Sequence, residues 1–118
     1  MMKYILILLL PLSANAADLS SLQIKKEIAW QAINLVDYGQ TQSISKECNL
    51  SDRFEYNPVL GPCPSHAAVN KYFLASALLH YGITRYLDDN RDIWQNATII
   101  VSGSIVYHNF SIGVKVDF

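Results

Sequence analysis

Apolar residues recur every three or four positions over two long stretches of the chain, and this spacing predicts two helices. The first helix runs from about Leu22 to Ser45, with Ser20 or Ser21 as its N-cap. The second runs from about His66 to Leu87 and is capped by Ser65. Its pattern is apolar on nearly every face, which is typical of a helix buried in a larger assembly or in lipid.

The first predicted helix carries two neighbouring apolar stripes. One comprises Trp30, Ile33, Asp37, Thr41 and Ile44, and the other comprises Ile24, Ile28, Ala32 and Leu35. Two such stripes suggest contact with more than one neighbour. The end that carries Lys25, Lys26 and Glu27 is expected to be solvated.

The last third of the chain fits two patterns. As a helix over Ile93 to Ile112, it places a polar stripe at helical spacing: Gln95, Thr98, Ser102 and Asn109. As strands, it alternates on both sides of a turn at His108-Asn109, and its β-branched residues favour that hairpin. A two-stranded sheet with no further strand is marginally stable, however, so the helix is the preferred prediction.

A loop over residues 46–66 lies between the first two helices and contains both cysteines, Cys48 and Cys63. Prolines punctuate this loop, and the residue before a proline is disfavoured in helical geometry. In an exported protein, two cysteines around such a loop predict a disulfide worth about 3 kcal/mol. Two free thiols are the alternative.

These patterns predict a mainly α fold: a small bundle of about three helices with a disulfide-closed loop and an extended C-terminal tail. The alternative is an α+β fold, with two helices followed by a C-terminal β-hairpin.

The N-terminus has the features of a secretory signal peptide. A basic start at Lys3 precedes an apolar run from Tyr4 to Leu12, and Ala14-Asn15-Ala16 provides the small residues of a cleavage site. We therefore expect a signal peptide over residues 1–16 and a single small helical domain over residues 17–118. The expected location is the periplasm, or the inner membrane facing the periplasm.

Net charge and motif content narrow the partners and the chemistry. The formal net charge is −1 and the chain has no basic run, so nucleic acid is not an expected partner. No cofactor and no metal are predicted, because the sequence contains no nucleophile motif, no zinc-ligand spacing and no glycine-rich phosphate loop. An envelope protein of unknown identity and the membrane itself are the partners left open.

The chain resembles a group of short, uncharacterised bacterial and prophage proteins. The residues that carry the resemblance are Asp37-x-x-Gln40-Thr41, Asn57-Pro58-Val59-Leu60-Gly61-x-x-Pro64-Ser65, Val69-Asn70-x-Tyr72-Phe73 and Trp94-Gln95-x-x-Thr98-Ile99. The resemblance implies an exported or membrane-associated helical protein and implies no activity.

Candidate site residues follow from polar groups on apolar faces. Asp37 is the strongest candidate, because a carboxylate on the Trp30 stripe must find hydrogen-bond donors or be protonated. The expected polar cluster comprises Asp37, Gln40, Thr41, Asn70, His80 and Gln95. No catalytic residue is assigned.

Three functional hypotheses stay open from the sequence alone. The leading one is a non-catalytic envelope protein. The second is a periplasmic binding or inhibitory module that acts through the 46–66 loop. The third is an enzyme that uses Asp37 and His80 in acid–base chemistry.

Overall fold

The computed structural model describes residues 19–48 and 57–118. Within these ranges the chain forms three helices and no strand: α1 (Ser21–Glu47), α2 (His66–Tyr86) and α3 (Arg91–Ser111). The predicted mainly α bundle is confirmed, and the α+β alternative is wrong. The predicted signal peptide over residues 1–16 lies outside the described residues.

Helix α1 is the centre of the bundle. Both α2 and α3 pack against it and make few contacts with each other. Its start is fixed by a capping box, in which Ser20 Oγ accepts from the Gln23 backbone N–H and Gln23 accepts from that of Ser20. At the start of α2, Ser65 Oγ accepts from the Ala68 backbone N–H.

Tertiary contacts explain why the last third is a helix in spite of its β-branched residues. The polar stripe of α3 faces α1 and finds partners there. Gln95 Nε2 donates to the Gln23 carbonyl at 2.9 Å, and Asn109 Nδ2 donates to Gln40 Oε1 at 3.1 Å. A hairpin has period two and would place half of these polar groups on the wrong side.

A disulfide closes the loop between α1 and α2. The sulfur atoms of Cys48 and Cys63 lie within bonding distance, and their Cα atoms are 5.8 Å apart. Cys48 is buried with Ile44 and Val114, the small apolar core that joins the end of α1 to the C-terminal segment. The predicted disulfide-closed loop therefore agrees with the structure.

The C-terminal tail folds back on α1. Gly113 has a φ of 86° and turns the chain after α3. The Asp117 backbone N–H then donates to the Gly39 carbonyl at 3.0 Å, and Lys46 pairs with the Asp117 carboxylate at 2.8 Å. A Cβ at Gly39 would lie 2.5 Å from Val116 Cγ1, so the glycine makes room for the tail.

The distribution of polarity is unusual for a small globular domain. Among residues 19–48 and 57–118, nine polar or charged residues are buried: Glu27, Asn34, Gln40, Thr41, Gln42, Ser43, His80, Thr84 and Gln95. Many large apolar side chains are exposed instead, especially on α2 and α3. The stripe of Ile24, Ile28, Ala32 and Leu35, expected to contact a neighbour, lies half-buried or exposed. Side-chain hydrogen bonds therefore contribute much of what holds the helices together.

Candidate functional site

A buried carboxylate–imidazole pair joins α1 to α2. His80 Nδ1 lies 2.9 Å from Glu27 Oε1, and both side chains are almost fully buried. Glu27 also accepts from Gln31 Nε2 at 3.0 Å and from Thr84 Oγ1 at 3.1 Å. Three donors thus satisfy a carboxylate that would be costly to bury alone.

The pKa of Glu27 reflects this balance. Burial alone would raise the pKa, but the hydrogen bond and the charge of His80, together with the bonds from Gln31 and Thr84, hold it below its ordinary value of 4.5. At neutral pH Glu27 is therefore an ionised acceptor. Because an ionised carboxylate can only accept, His80 Nδ1 carries a proton.

The second ring nitrogen of His80 connects the pair to α3. His80 Nε2 lies 2.7 Å from Thr98 Oγ1. That hydroxyl is also within reach of the Trp94 and Gln95 carbonyl oxygens, at 2.9 and 3.1 Å. Thr98 can therefore donate to Nε2, or donate to a carbonyl and accept from Nε2.

Both tryptophans of the chain pack on His80. The Trp30 and His80 ring centroids are 3.7 Å apart with an interplanar angle of 4°, and the Trp94 centroid is 5.0 Å away at 29°. Trp94 Nε1 donates to Thr84 Oγ1 at 3.0 Å, and Trp30 Nε1 donates to Ser102 Oγ at 3.1 Å. The cluster thus contains residues of all three helices.

The order carboxylate, imidazole and hydroxyl is the one that activates a serine or threonine nucleophile in acyl transfer. Such chemistry also needs free N–H donors for an oxyanion. Thr98 lies in the middle of α3, where backbone N–H groups are bonded within the helix. The backbone N–H groups around Thr98 are therefore not free to stabilise an oxyanion.

A cavity of about 760 Å³ lies beside this cluster, between α2 and α3, with α1 as its floor. Its apolar lining comprises Trp30, Ile44, Pro58, Leu60, Tyr72, Phe73, Val101, Ile105, Ile112 and Val114. Its polar lining comprises Asn34, Asp37, Thr41, Asn57, Ser76, Ser102, Ser104, His108 and Asn109. Most of the lining surface is apolar, although polar and apolar residues are nearly equal in number, and a concave surface of this volume can hold a small molecule.

Among the predicted site residues, Asp37 and Thr41 lie together in the cavity lining. The other four make hydrogen bonds in separate places. His80 bonds Glu27 and Thr98, and Gln95 bonds the Gln23 carbonyl. Gln40 Nε2 donates to the Val106 carbonyl at 3.1 Å. Asn70 Oδ1 accepts from the Tyr38 hydroxyl and from Gln42 Nε2.

Asp37 and His80 do not form the acid–base pair considered from the sequence. His80 lies level with Glu27, and ten positions along α1 separate Glu27 from Asp37, which is about 15 Å of helix. The disulfide residues Cys48 and Cys63 close the loop at one end of the cavity, where Pro58 and Leu60 line it.

Sequence reasoning missed Glu27, which is fully buried. Its neighbours Lys25 and Lys26 made that turn look solvated. A strict alternation of three and four residues links Glu27, Trp30, Asn34, Asp37, Thr41 and Ile44. Extending the Trp30 stripe by one turn would have included the acid.

Comparisons of the chain with protein-family models, curated proteins and solved structures find no match. Within the described ranges, no group of three or more His, Cys, Asp and Glu side chains is placed to hold a metal ion. No helix in the same ranges is long and apolar enough to cross a membrane. The cavity and the buried cluster are therefore the features of the structure that bear on function.

Proposed function

We propose that this chain is a small, non-catalytic exported protein of the bacterial envelope that binds an apolar molecule in the cavity between α2 and α3. The observation that carries the proposal is the cavity of about 760 Å³ with its mainly apolar wall. The wall includes Pro58 and Leu60, so the proposal keeps a role for the loop closed by the cysteine pair.

The buried cluster supports a binding role over catalysis. Glu27, His80 and Thr98 are occupied by one another and by the helix backbone. Trp30 belongs to this cluster and also lines the cavity. The cluster thereby holds one wall of the cavity rigid, which lowers the entropic cost of binding.

Export is supported by the sequence features of residues 1–16 and by the cysteine pair, since disulfides persist in oxidising compartments. The polar interior and apolar exterior are consistent with a protein whose surface meets other envelope components.

Nile red, an uncharged dye that fluoresces in apolar sites, tests the cavity. The purified chain should bind it, and Ser76→Phe should weaken binding roughly tenfold, because the new ring fills cavity volume. Ala75→Phe is the matched control, since Ala75 is an exposed residue of α2 outside the cavity lining. If the two variants bind the dye alike, the dye occupies the outer surface and the proposal fails.

A further inference from the structure

The outer side of α3 carries a regular stripe of exposed residues. Its large members are Ile93, Ile100 and Tyr107, which are exposed by 69%, 67% and 76%. Its small members are Ala97, Ser104 and Ser111, which are exposed as well, and Ser104 also borders the cavity. The spacing alternates four and three residues, as in the seam of a coiled coil. No charged residue interrupts the sequence from Ile93 to Val114.

This stripe is complementary to itself when two copies of α3 run antiparallel about a two-fold axis level with Ser102. Each large residue then meets a small residue of the second copy. The pairs are Ile93 with Ser111, Tyr107 with Ala97, and Ile100 with Ser104. Small residues let two helix axes approach to about 8 Å while the large ones fill the space between them.

Charges at the two ends of α3 favour the same orientation. Asp88 and Asp89 are exposed in the turn before α3, and Lys115 is exposed just after it. Antiparallel pairing brings the acidic turn of one copy towards Lys115 of the other. Parallel pairing would place two acidic turns together, which is unfavourable.

We propose that the outer stripe of α3 is a homodimer interface, in which two copies of this chain pack α3 against α3 in antiparallel orientation. Lipid does not account for the stripe, because a lipid-facing surface has no need for large and small residues in alternation. Helix–helix contacts account for this alternation of large and small residues, both in water and in membranes. The stripe is complementary to itself under a two-fold rotation, as an isologous interface requires.

Sedimentation equilibrium of the full mature chain, in buffer and in a mild detergent, tests the proposal. The wild type should be a dimer. Ile100→Glu should weaken association at least about a hundredfold, since Ile100 is buried twice in a symmetric dimer. Leu22→Glu is the matched control, because Leu22 is exposed on α1 and should leave the dimer unchanged.

A residue swap tests the register and does not depend on the charged variant folding. Ser104→Ile should weaken the dimer, because two large residues then face each other. Adding Ile100→Ser to that variant restores a large residue opposite a small one and should restore the dimer. Circular dichroism checks that each variant is helical.

Three results would overturn the proposal. The wild type could be a monomer in both solvents, or the swap could leave a folded variant monomeric. The third is binding of the wild type to phosphatidylglycerol vesicles as a monomer, with Ile100→Glu abolishing it. That result would make the stripe a lipid contact.

Discussion

At the scale of single residues, Glu27 is the most consequential side chain of the chain. It is fully buried, and its carboxylate accepts from three residues on two helices. Removing one member of a buried charged network leaves the others unsatisfied, and this costs more than the network contributes as a whole. The stability of the bundle should therefore depend strongly on this acid.

Glu27→Gln keeps the size of the side chain and replaces one oxygen by an NH₂ group. That group faces donors, so the variant should lose about 3 kcal/mol of unfolding free energy in urea titrations at pH 7. Asp89→Asn is the control: it removes an exposed charge and should change stability by less than about 0.5 kcal/mol. Equal, small effects of both substitutions would show that the Glu27 network is not required.

The depressed pKa of Glu27 also predicts a pH dependence. A lowered folded-state pKa adds stability above the unfolded value of 4.5, and that stability is lost as the pH falls through the lower folded value. The difference in unfolding free energy between wild type and Glu27→Gln should therefore shrink as the pH falls below about 4.5. A difference that grows on acidification would contradict the direction of the shift.

At the scale of elements, Gly39 shows how α1 and the tail depend on each other. Gly39→Ala places a Cβ 2.5 Å from Val116 and 3.0 Å from the Phe118 ring, so the tail must move away. The alanine favours α1 by up to about 1 kcal/mol, which offsets part of the lost tail contact. Carboxypeptidase should therefore digest residues 114–118 faster while the melting temperature changes little.

Gly82→Ala is the control for that experiment, because a Cβ at Gly82 would have no atom within 4 Å apart from its chain neighbours and the adjacent backbone of α2. This substitution should raise the helix stability and leave the digestion of the tail unchanged. If Gly39→Ala and Gly82→Ala were digested at the same rate, the tail would not depend on the space above Gly39.

The cysteine pair gives the loop its constraint. Thiol labelling of the denatured, unreduced chain should find no reactive Cys48 or Cys63, and reduction should expose both. A double Cys→Ser variant should be less stable by about 3 kcal/mol, because the unfolded chain regains loop entropy. Two reactive thiols before reduction would show that the pair is open.

The helices could be predicted from sequence because their apolar spacing and their serine caps are local signals. Whether the last third forms a helix or a hairpin depends on its tertiary contacts. As a helix, Gln95, Ser102 and Asn109 gain hydrogen bonds to α1 that a strand could not make. The placement of the tail on Gly39 depends on a contact across more than seventy positions, which no local pattern reveals.

The candidate site was predicted only in part. Asp37 and Thr41 do share a surface, because one helical turn separates them and both line the cavity. The expected partners Asn70, His80 and Gln95 each bond a group on another helix that the sequence pattern did not identify. Pairing across helices depends on their relative rotation, and sequence spacing within one helix does not contain that information.

At the scale of the whole molecule, the proposed location depends on processing of the N-terminus. Mass spectrometry of the protein from a bacterial envelope fraction should find a mature chain that begins at Ala17. Ala16→Asp should block cleavage, since the peptidase requires a small residue there. An intact Met1 in the envelope fraction would remove the argument for export through a cleaved signal.

We conclude that one buried polar cluster, centred on Glu27 and His80, holds all three helices together. The state of the His80 ring tests it most directly. Nitrogen-15 NMR of the ring at neutral pH should show a proton on Nδ1 that exchanges slowly with solvent, and Glu27→Gln should speed that exchange. A ring whose Nδ1 is unprotonated, or exchanges as fast as the exposed His108, would contradict the account.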